Sequence, residues 1–401
     1  MNYSELMKYL DGLVPREFRM ELEPMIEACS LMSNPQRAFP TVHISGTNGK
    51  GSTAVFLAKI MQGSGYRVGL LTSPHLTDVS ERIRIDGNVI SEKDMLKFAQ
   101  RVRENLPDDH YLSYFEFITL LAFEYFRECD VKIAIIETGL GGRLDATNVV
   151  EPKVAIITSM AVDHQHHLGN TLKEITAEKC GIIKRSVPTV SAVQPEESMK
   201  EIQRWCDDMG SPLVIADPVL VTTELGLAGE HQKQNAACAV EAAHLLSDAG
   251  FSVAGIEKSL ASTTWAGRLE TLQKKPTVVI DGAHNLAGAE TLARYVKGAV
   301  ARDNAVLMLG VLQGKDVAGI CRTLVPLFRE VICVRAPSDR AESPKDLAAM
   351  ARAHGATVHM AEDVSSALKK YMPKLKDKDT LVVSGSLRTI GAARNALKHS
   401  G

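Results

Sequence analysis

Short β-branched runs recur along this chain, and helical stretches separate most of them. No other feature constrains the fold as strongly. "VKIAIIE" (131–137) and "KVAIIT" (153–158) are apolar with hardly any alternation, so both faces of those strands must be covered. Parallel sheets with crossover helices do this. A first series of strands is expected at "PTVHISG", "RVGLLTS", "VKIAIIET", "KVAIITSM" and "VPTVSA". A second begins near residue 276 with "PTVVIDG", "AVLMLGV", "VICVRA", "ATVHMA" and "TLVVSGS". Between them lies the amphipathic stretch "HQKQNAACAVEAAHLLSDAG", ended by Gly250, and then "TTWAGRLETLQKKP", which reads as a connection. The pattern predicts an α/β protein of two domains, 1–266 and 267–401, each built on a mostly parallel sheet.

At 401 residues the chain is long for a single core and comfortable for two. Its net charge of −2 gives no reason to expect nucleic acid or an anionic membrane as partner. Seven cysteines without a C-x-x-C argue against a disulfide framework. The start "MNYSELMKYLDGL" has neither the basic head nor the apolar run of a signal peptide. No apolar stretch approaches membrane-helix length. A cytoplasmic protein with reduced thiols is expected.

Open parallel sheets bind ligands beyond the carboxyl ends of their strands. The loops there read "GTNGKGS", "SPHL", "ETGLGGRLDATN", "SMAVDHQHHLG" and, in the second series, "DGAHN". The first departs from the Walker A rule G-x-x-x-x-G-K-[ST]: Gly51 follows Lys50, and Ile44 stands where the rule has glycine. The physical requirements are nonetheless present. Gly46, Gly49 and Gly51 let backbone N–H groups converge, Lys50 supplies charge, and an apolar-periodic helix starts at about Ser52. The bland alternative is a strand-to-helix turn with a solvated lysine. On the nucleotide reading, the added glycine makes Ser52 the hydroxyl for a Mg²⁺ that bridges phosphates.

Glu137 ends an apolar strand, placed either for Mg²⁺ or for a cap or ion pair with Arg143. Three histidines in "DHQHH" invite a zinc reading, but no second ligand cluster completes a tetrahedron. One functional histidine with two bystanders accounts for them better. Lys179 is the most informative residue. Asn170 is a possible cap for its helix, and Leu172, Ile175, Ile182 and Ile183 form one apolar stripe with Lys179 in its middle. An inward ammonium is costly unless paired or chemically changed. Snorkelling to the edge and carbamylation by CO₂ both remain open on helical geometry.

Taken in order, "HISGTNGKGS", "TSPHL", "YFE", "ETGLGGRLDATNVV", "DHQHHLGNTLKEITAEKCGIIK", "GEHQKQNAA", "GRLE", "DGAHN" and "SGSL" resemble the motifs of the bifunctional dihydrofolate synthase/folylpolyglutamate synthase family, of the Mur ligase superfamily. The resemblance spans nearly the whole chain. It implies a P-loop-containing ATP-binding domain followed by a smaller Rossmann-like domain. The implied enzyme is an ATP-dependent ligase that joins L-glutamate to a pterin-linked carboxylate through an acyl phosphate, inside two domains that close over the site.

It further implies that Gly46, Thr47, Asn48, Gly49, Lys50, Gly51 and Ser52 hold ATP phosphates. Asn235, Arg268, Asp281 and His284 would serve the rest of the nucleotide. Ser52, Ser73, Glu137, His164 and a carbamylated Lys179 would serve two Mg²⁺ ions, with a monovalent cation as a further possibility. Lys50, Glu137, His164 and Lys179 are then the catalytic set. Ser113, Phe115, Glu116, Arg143 and Asp145 would form the acceptor side, with Phe115 stacking and Asp145 giving polar recognition. A monomer with small-molecule substrates is expected. Leu286 stands where the family usually has proline, Gly314 where it has an acidic residue, and Arg388 and Thr389 where it has an aromatic or aliphatic pair. The interval between Lys184 and Gly229 is short for the family, so an edge hairpin is expected to be missing. These departures bear on the acceptor: another carboxylate is the alternative substrate, and a P-loop regulatory or transport ATPase the alternative class.

Overall fold

The structure is a computed structural model that describes residues 2–13, 21–107 and 112–398. The chain forms two compact units. The first takes Met1–His75, Val79–Gly226 and Gln232–Thr263; the second takes Leu76–Asp78, Leu227–His231 and Thr264–Gly401.

The first unit is built on eight strands: β1 (Thr41–Ser45), β2 (Val68–Leu71), β3 (Ile83–Ile85), β4 (Asn88–Val89), β5 (Ile133–Glu137), β6 (Val154–Ile157), β7 (Thr189–Ser191) and β8 (Leu213–Ile215). Their order is β4-β3-β2-β5-β1-β6-β7-β8. From β2 to β8 every pairing is parallel, while β3 and β4 turn back antiparallel at one edge. Every residue of β1, β2, β5, β6 and β7 is buried, which is why those segments carry no alternation. Phe98, Phe117, Phe123 and Phe126 fill the core on one side, with the Phe39 and Phe126 rings 5.9 Å apart, edge to face. Ile157, Cys180, Ile182, Ile202 and Cys206 pack together in another cluster.

All five strands expected in this half are present, but three were missed. "IRIDGNV" closes β3 onto β4 through Asp86 and Gly87 at φ 51° and 79°, the positive values of a two-residue hairpin turn. β8 extends the opposite edge, and among the described residues no strand pairs beyond it. Two local expectations also need correction. The helix Leu172–Cys180 is capped by Thr171, whose hydroxyl accepts from the Glu174 N–H while Glu174 reaches back to the Thr171 N–H. Asn170 is not the cap. Ile182 and Ile183 lie beyond the helix end, although both are buried.

In the second unit β9 (Glu270–Lys274), β10 (Thr277–Ile280), β11 (Ala305–Leu309), β12 (Glu330–Arg335), β13 (Thr357–Asp363) and β14 (Thr380–Ser384) form a sheet of order β13-β12-β11-β14-β10-β9. Only β9 is antiparallel to its neighbour. It comes from the segment expected to be a mere connection. Among the described residues, no helix is long and apolar enough to cross a membrane.

Candidate active site

β1 is the central strand, with β5 on one side and β6 on the other. Its carboxyl end therefore opens where three βα loops meet. Directly after it, Gly46 has φ 149°, and a Cβ there would stand 1.9 Å from Thr158 Oγ1. Gly49, at φ 90°, begins the helix Lys50–Gly63, and a Cβ on it would meet Asn235 Oδ1 at 2.2 Å. Both positions require glycine on conformation and on space. The loop is held from β6, as the Thr47 and Asn48 N–H groups donate to Ser159 O, at 3.0 and 3.1 Å. Ser52 sits buried in the first helical turn, where N–H groups lack intrahelical acceptors and the helix dipole favours anions, and the first intrahelical bond runs from the Thr53 N–H to Gly49 O at 2.9 Å. The helix starts at Lys50, two residues earlier than the sequence suggests.

Lys50 folds back over this loop, its Nζ 3.1 Å from Gly46 O and 3.4 Å from Thr47 O. Lys179 reaches the same carbonyl from the other side, with Nζ 2.8 Å from Gly46 O. Its residue is only 4% exposed, so the ammonium does not snorkel to solvent. Burial, reinforced by the Lys50 charge and opposed by Asp163 and Asp145, pushes the Lys179 amine down to about 7. Two basic side chains thus converge on one carbonyl oxygen of the phosphate loop.

Glu137 ends β5 in register with Ile44 of β1, and is buried. Its Oε2 accepts the Ser73 N–H at 3.0 Å. The alternative partner, Arg143, instead pairs with Glu178 at 2.9 Å. His164 follows β6, half exposed, at φ 53°, and its own N–H is held by Asp163 Oδ1 at 2.8 Å. Among the described residues no three His, Cys, Asp or Glu side chains gather into a metal cluster. The hydroxyls of Ser52 and Ser73, the Glu137 carboxylate and the His164 imidazole are hard or borderline donors at neighbouring strand ends. The oxygen donors among them suit Mg²⁺, for which an imidazole is a less usual ligand.

Of the expected acceptor residues, Arg143 and Asp145 lie in the loop after β5 (Ile133–Glu137), while Ser113, Phe115 and Glu116 lie at the start of the helix Tyr114–Glu128 that precedes it; several organise their own surroundings. Asp145 is buried. Its Oδ1 accepts the Thr147 N–H at 3.0 Å and the Thr147 hydroxyl at 2.5 Å, while Oδ2 accepts the Leu140 N–H at 2.8 Å. Burial raises its carboxyl above the usual range against those hydrogen bonds. Phe115 lays its ring against Gly139, where a Cβ would be 2.6 Å from the ring. Ser113 and Glu116 cap the helix Tyr114–Glu128 reciprocally, with the Ser113 N–H 2.6 Å from Glu116 Oε2. Gly142 passes so close to the lysine helix that a Cβ would be 2.5 Å from Lys179 O.

In the second unit Arg268, Asp281 and His284 cluster at the end of β10. Asp281 accepts the N–H groups of Leu269 and Ala283, each at 3.0 Å, and burial raises its carboxyl while Arg268 lowers it. The Arg268 guanidinium lies over Gly282, where a Cβ would be 2.2 Å from Nη1, and His284 Nδ1 is 2.8 Å from Gly282 O. His231 is a member that the sequence reading missed. Burial together with Arg268 and Arg294 pushes its imidazole down to about 4. The signal was its place beside Asn235 in "EHQKQN".

Two family models match the chain: the Mur ligase middle domain over residues 44–216, and the Mur ligase glutamate ligase domain over residues 267–387. With a P-loop at the head of a parallel sheet, these make the protein an ATP-dependent ligase of the Mur type. The chain is 31% identical to the dihydrofolate synthase/folylpolyglutamate synthase of Bacillus subtilis, covering 99% of each. It belongs to that family. Among solved structures it is similar to the Mycobacterium tuberculosis folylpolyglutamate synthase complexed with ADP, at 30% identity and a TM-score of 0.91, with 98% and 97% of the two chains covered. It is equally similar in fold to E. coli FolC in complex with DHPP and ADP, at 28% identity and a TM-score of 0.91, with 100% and 98% covered. The Yersinia pestis bifunctional enzyme, at 26% identity and a TM-score of 0.87 over 99% and 98%, was solved with AMPPNP and a Mn ion.

Proposed function

We propose that this ligase joins L-glutamate to a pterin-linked carboxylate, dihydropteroate or a reduced folate, with cleavage of ATP to ADP and phosphate. The observation that carries the reading is Lys179, buried against the carbonyl of the phosphate loop that Lys50 also contacts. A mechanical ATPase has no use for a second, desolvated amine there. A ligase of this family uses it as a carbamate that helps hold Mg²⁺.

On this reading Gly46 to Ser52 bind the nucleotide phosphates through backbone N–H groups, and Lys50 offsets the charge that develops as the γ-phosphoryl group moves to the acceptor carboxylate. Asn235 lies against Gly49 and belongs with the nucleotide, as do Arg268, Asp281 and His284 of residues 267–401. Ser52, Ser73, Glu137, His164 and carbamylated Lys179 would hold Mg²⁺, which supplies charge neutralisation for phosphoryl transfer. Phe115, Arg143 and Asp145 belong to the acceptor side. The glutamate amine then attacks the acyl phosphate, loses a proton and displaces phosphate, leaving an amide.

ADP release with Mg-ATP and L-glutamate tests this directly, comparing 7,8-dihydropteroate, a reduced folate monoglutamate and no acceptor. Turnover that requires glutamate and one pterin supports the assignment and tells the two steps apart. Turnover without acceptor, or none with either pterin, overturns it and points to another carboxylate.

A further inference from the structure

β1 is buried on both faces, yet three of its five residues are polar and buried: Thr41, His43 and Ser45. They alternate by two, so they share one face of the strand. The side chains of His43 and Ser45 reach the same segment, the loop after β5. Ser45 Oγ donates to Gly141 O at 2.6 Å. His43 Nε2 lies 2.7 Å from Thr147 Oγ1.

The direction of that second bond follows from the proton count. A hydroxyl has one proton, and the Thr147 hydroxyl donates it to Asp145 Oδ1 at 2.5 Å. Its oxygen is therefore the acceptor for His43, which must carry its hydrogen on Nε2. Burial pushes the His43 imidazole down to about 3, so the ring is neutral and its Nδ1 is an acceptor. That Nδ1 is buried with no hydrogen-bond partner among the described residues. An apolar side chain would fill this place in a central strand without leaving a polar atom unsatisfied. A histidine kept there at such a cost has a use at its other nitrogen.

We infer that His43 and Thr147 are positioning residues for the acceptor: a one-way chain from His43 N–H through the Thr147 hydroxyl to Asp145 fixes the Asp145 carboxylate and the loop it organises for binding the acceptor. The inference rests on the reading of Asp145 as an acceptor-side residue. The chain ties that loop to the strand that leads into the phosphate loop, so acceptor and nucleotide loops share one support. Thr147 and His43 touch no substrate themselves. They act through Asp145, whose Oδ2 remains committed to Leu140 N–H, at 2.8 Å.

The test compares Thr147→Val, which keeps shape and loses the hydroxyl, with Thr147→Ser, which keeps it, and His43→Leu with His43→Gln, which keeps an N–H donor. Asp145→Asn is measured beside them. Expected is a rise in acceptor KM of about tenfold for Thr147→Val and His43→Leu, with the ATP KM within about twofold and recovery in the Ser and Gln variants. Circular dichroism and ATP KM report whether each variant is folded. An unchanged acceptor KM in Thr147→Val while Asp145→Asn raises it overturns the relay and spares the Asp145 reading. A rise in Thr147→Val with none in Asp145→Asn overturns both the route through Asp145 and the acceptor role of that residue. Acceptor and ATP KM rising together, without rescue by serine, reduces the chain to a structural tether and overturns the inference.

Discussion

Lys179 shows how one side chain can carry an assignment. Its ordinary value lies near 10.4, and burial lowers the folded-state value to about 7. Between those limits the unfolded chain binds a proton that the folded chain does not, so falling pH progressively destabilises the fold across that window. Below about 7 both states are protonated and the penalty stays constant. In CO₂-free buffer, Lys179→Met should therefore raise the thermal midpoint near pH 7, and the gain should shrink as pH approaches 10. A pH-independent difference would show that the amine is not desolvated. Lys179→Ala should lose about a hundredfold in turnover and regain part of it with formate or acetate, read as ADP release. Gly49 makes a second residue-scale case. Gly49→Ala places a methyl on Asn235 Oδ1 at a positive φ and should weaken nucleotide binding by about tenfold or more, seen by titration with ADP.

Elements decide which polar residues are free for chemistry. The family resemblance implies Ser113 and Glu116 as acceptor-side residues, and in the structure they also close a reciprocal cap on the helix Tyr114–Glu128. Ser113→Ala should cost about 1 kcal/mol of stability by denaturant titration and leave the acceptor KM unchanged. A raised KM at unchanged stability would restore the substrate role. The signal "S-x-x-E" before an apolar run was legible as a capping box, as "IRIDGNV" was as a hairpin. Both signals are short and polar, and carry little of the apolar periodicity that marks the longer elements. β9 was less legible: no residue of "ETLQK" is fully buried, so its hydrophobic pattern is weak, and pairing with β10 makes it a strand.

At the scale of the molecule, the alignment with the Bacillus subtilis relative runs over 428 positions, more than the 401 residues of this chain. That relative therefore carries residues that this chain lacks. Ligand binding to the native state alone should raise stability by about 2.7 kcal/mol at a nucleotide concentration a hundred times its Kd. A thermal-shift series with Mg-AMPPNP should follow that relation, and no shift at saturation would place the phosphate loop outside the nucleotide site.

The βα alternation, the unalternating strands and the glycines at 46 and 49 were determined by the sequence alone. Each is a local demand: two-sided burial, a period, a positive φ or a space that excludes a Cβ. What the tertiary structure decided are the pairings between distant residues. Lys179 and Lys50 meet on Gly46 O, Arg143 takes Glu178 rather than Glu137, and His43 reaches Asp145 through Thr147. These partners lie up to 133 residues apart. No local periodicity fixes such a distance; it follows from the strand order, which brings β5, β1 and β6 side by side.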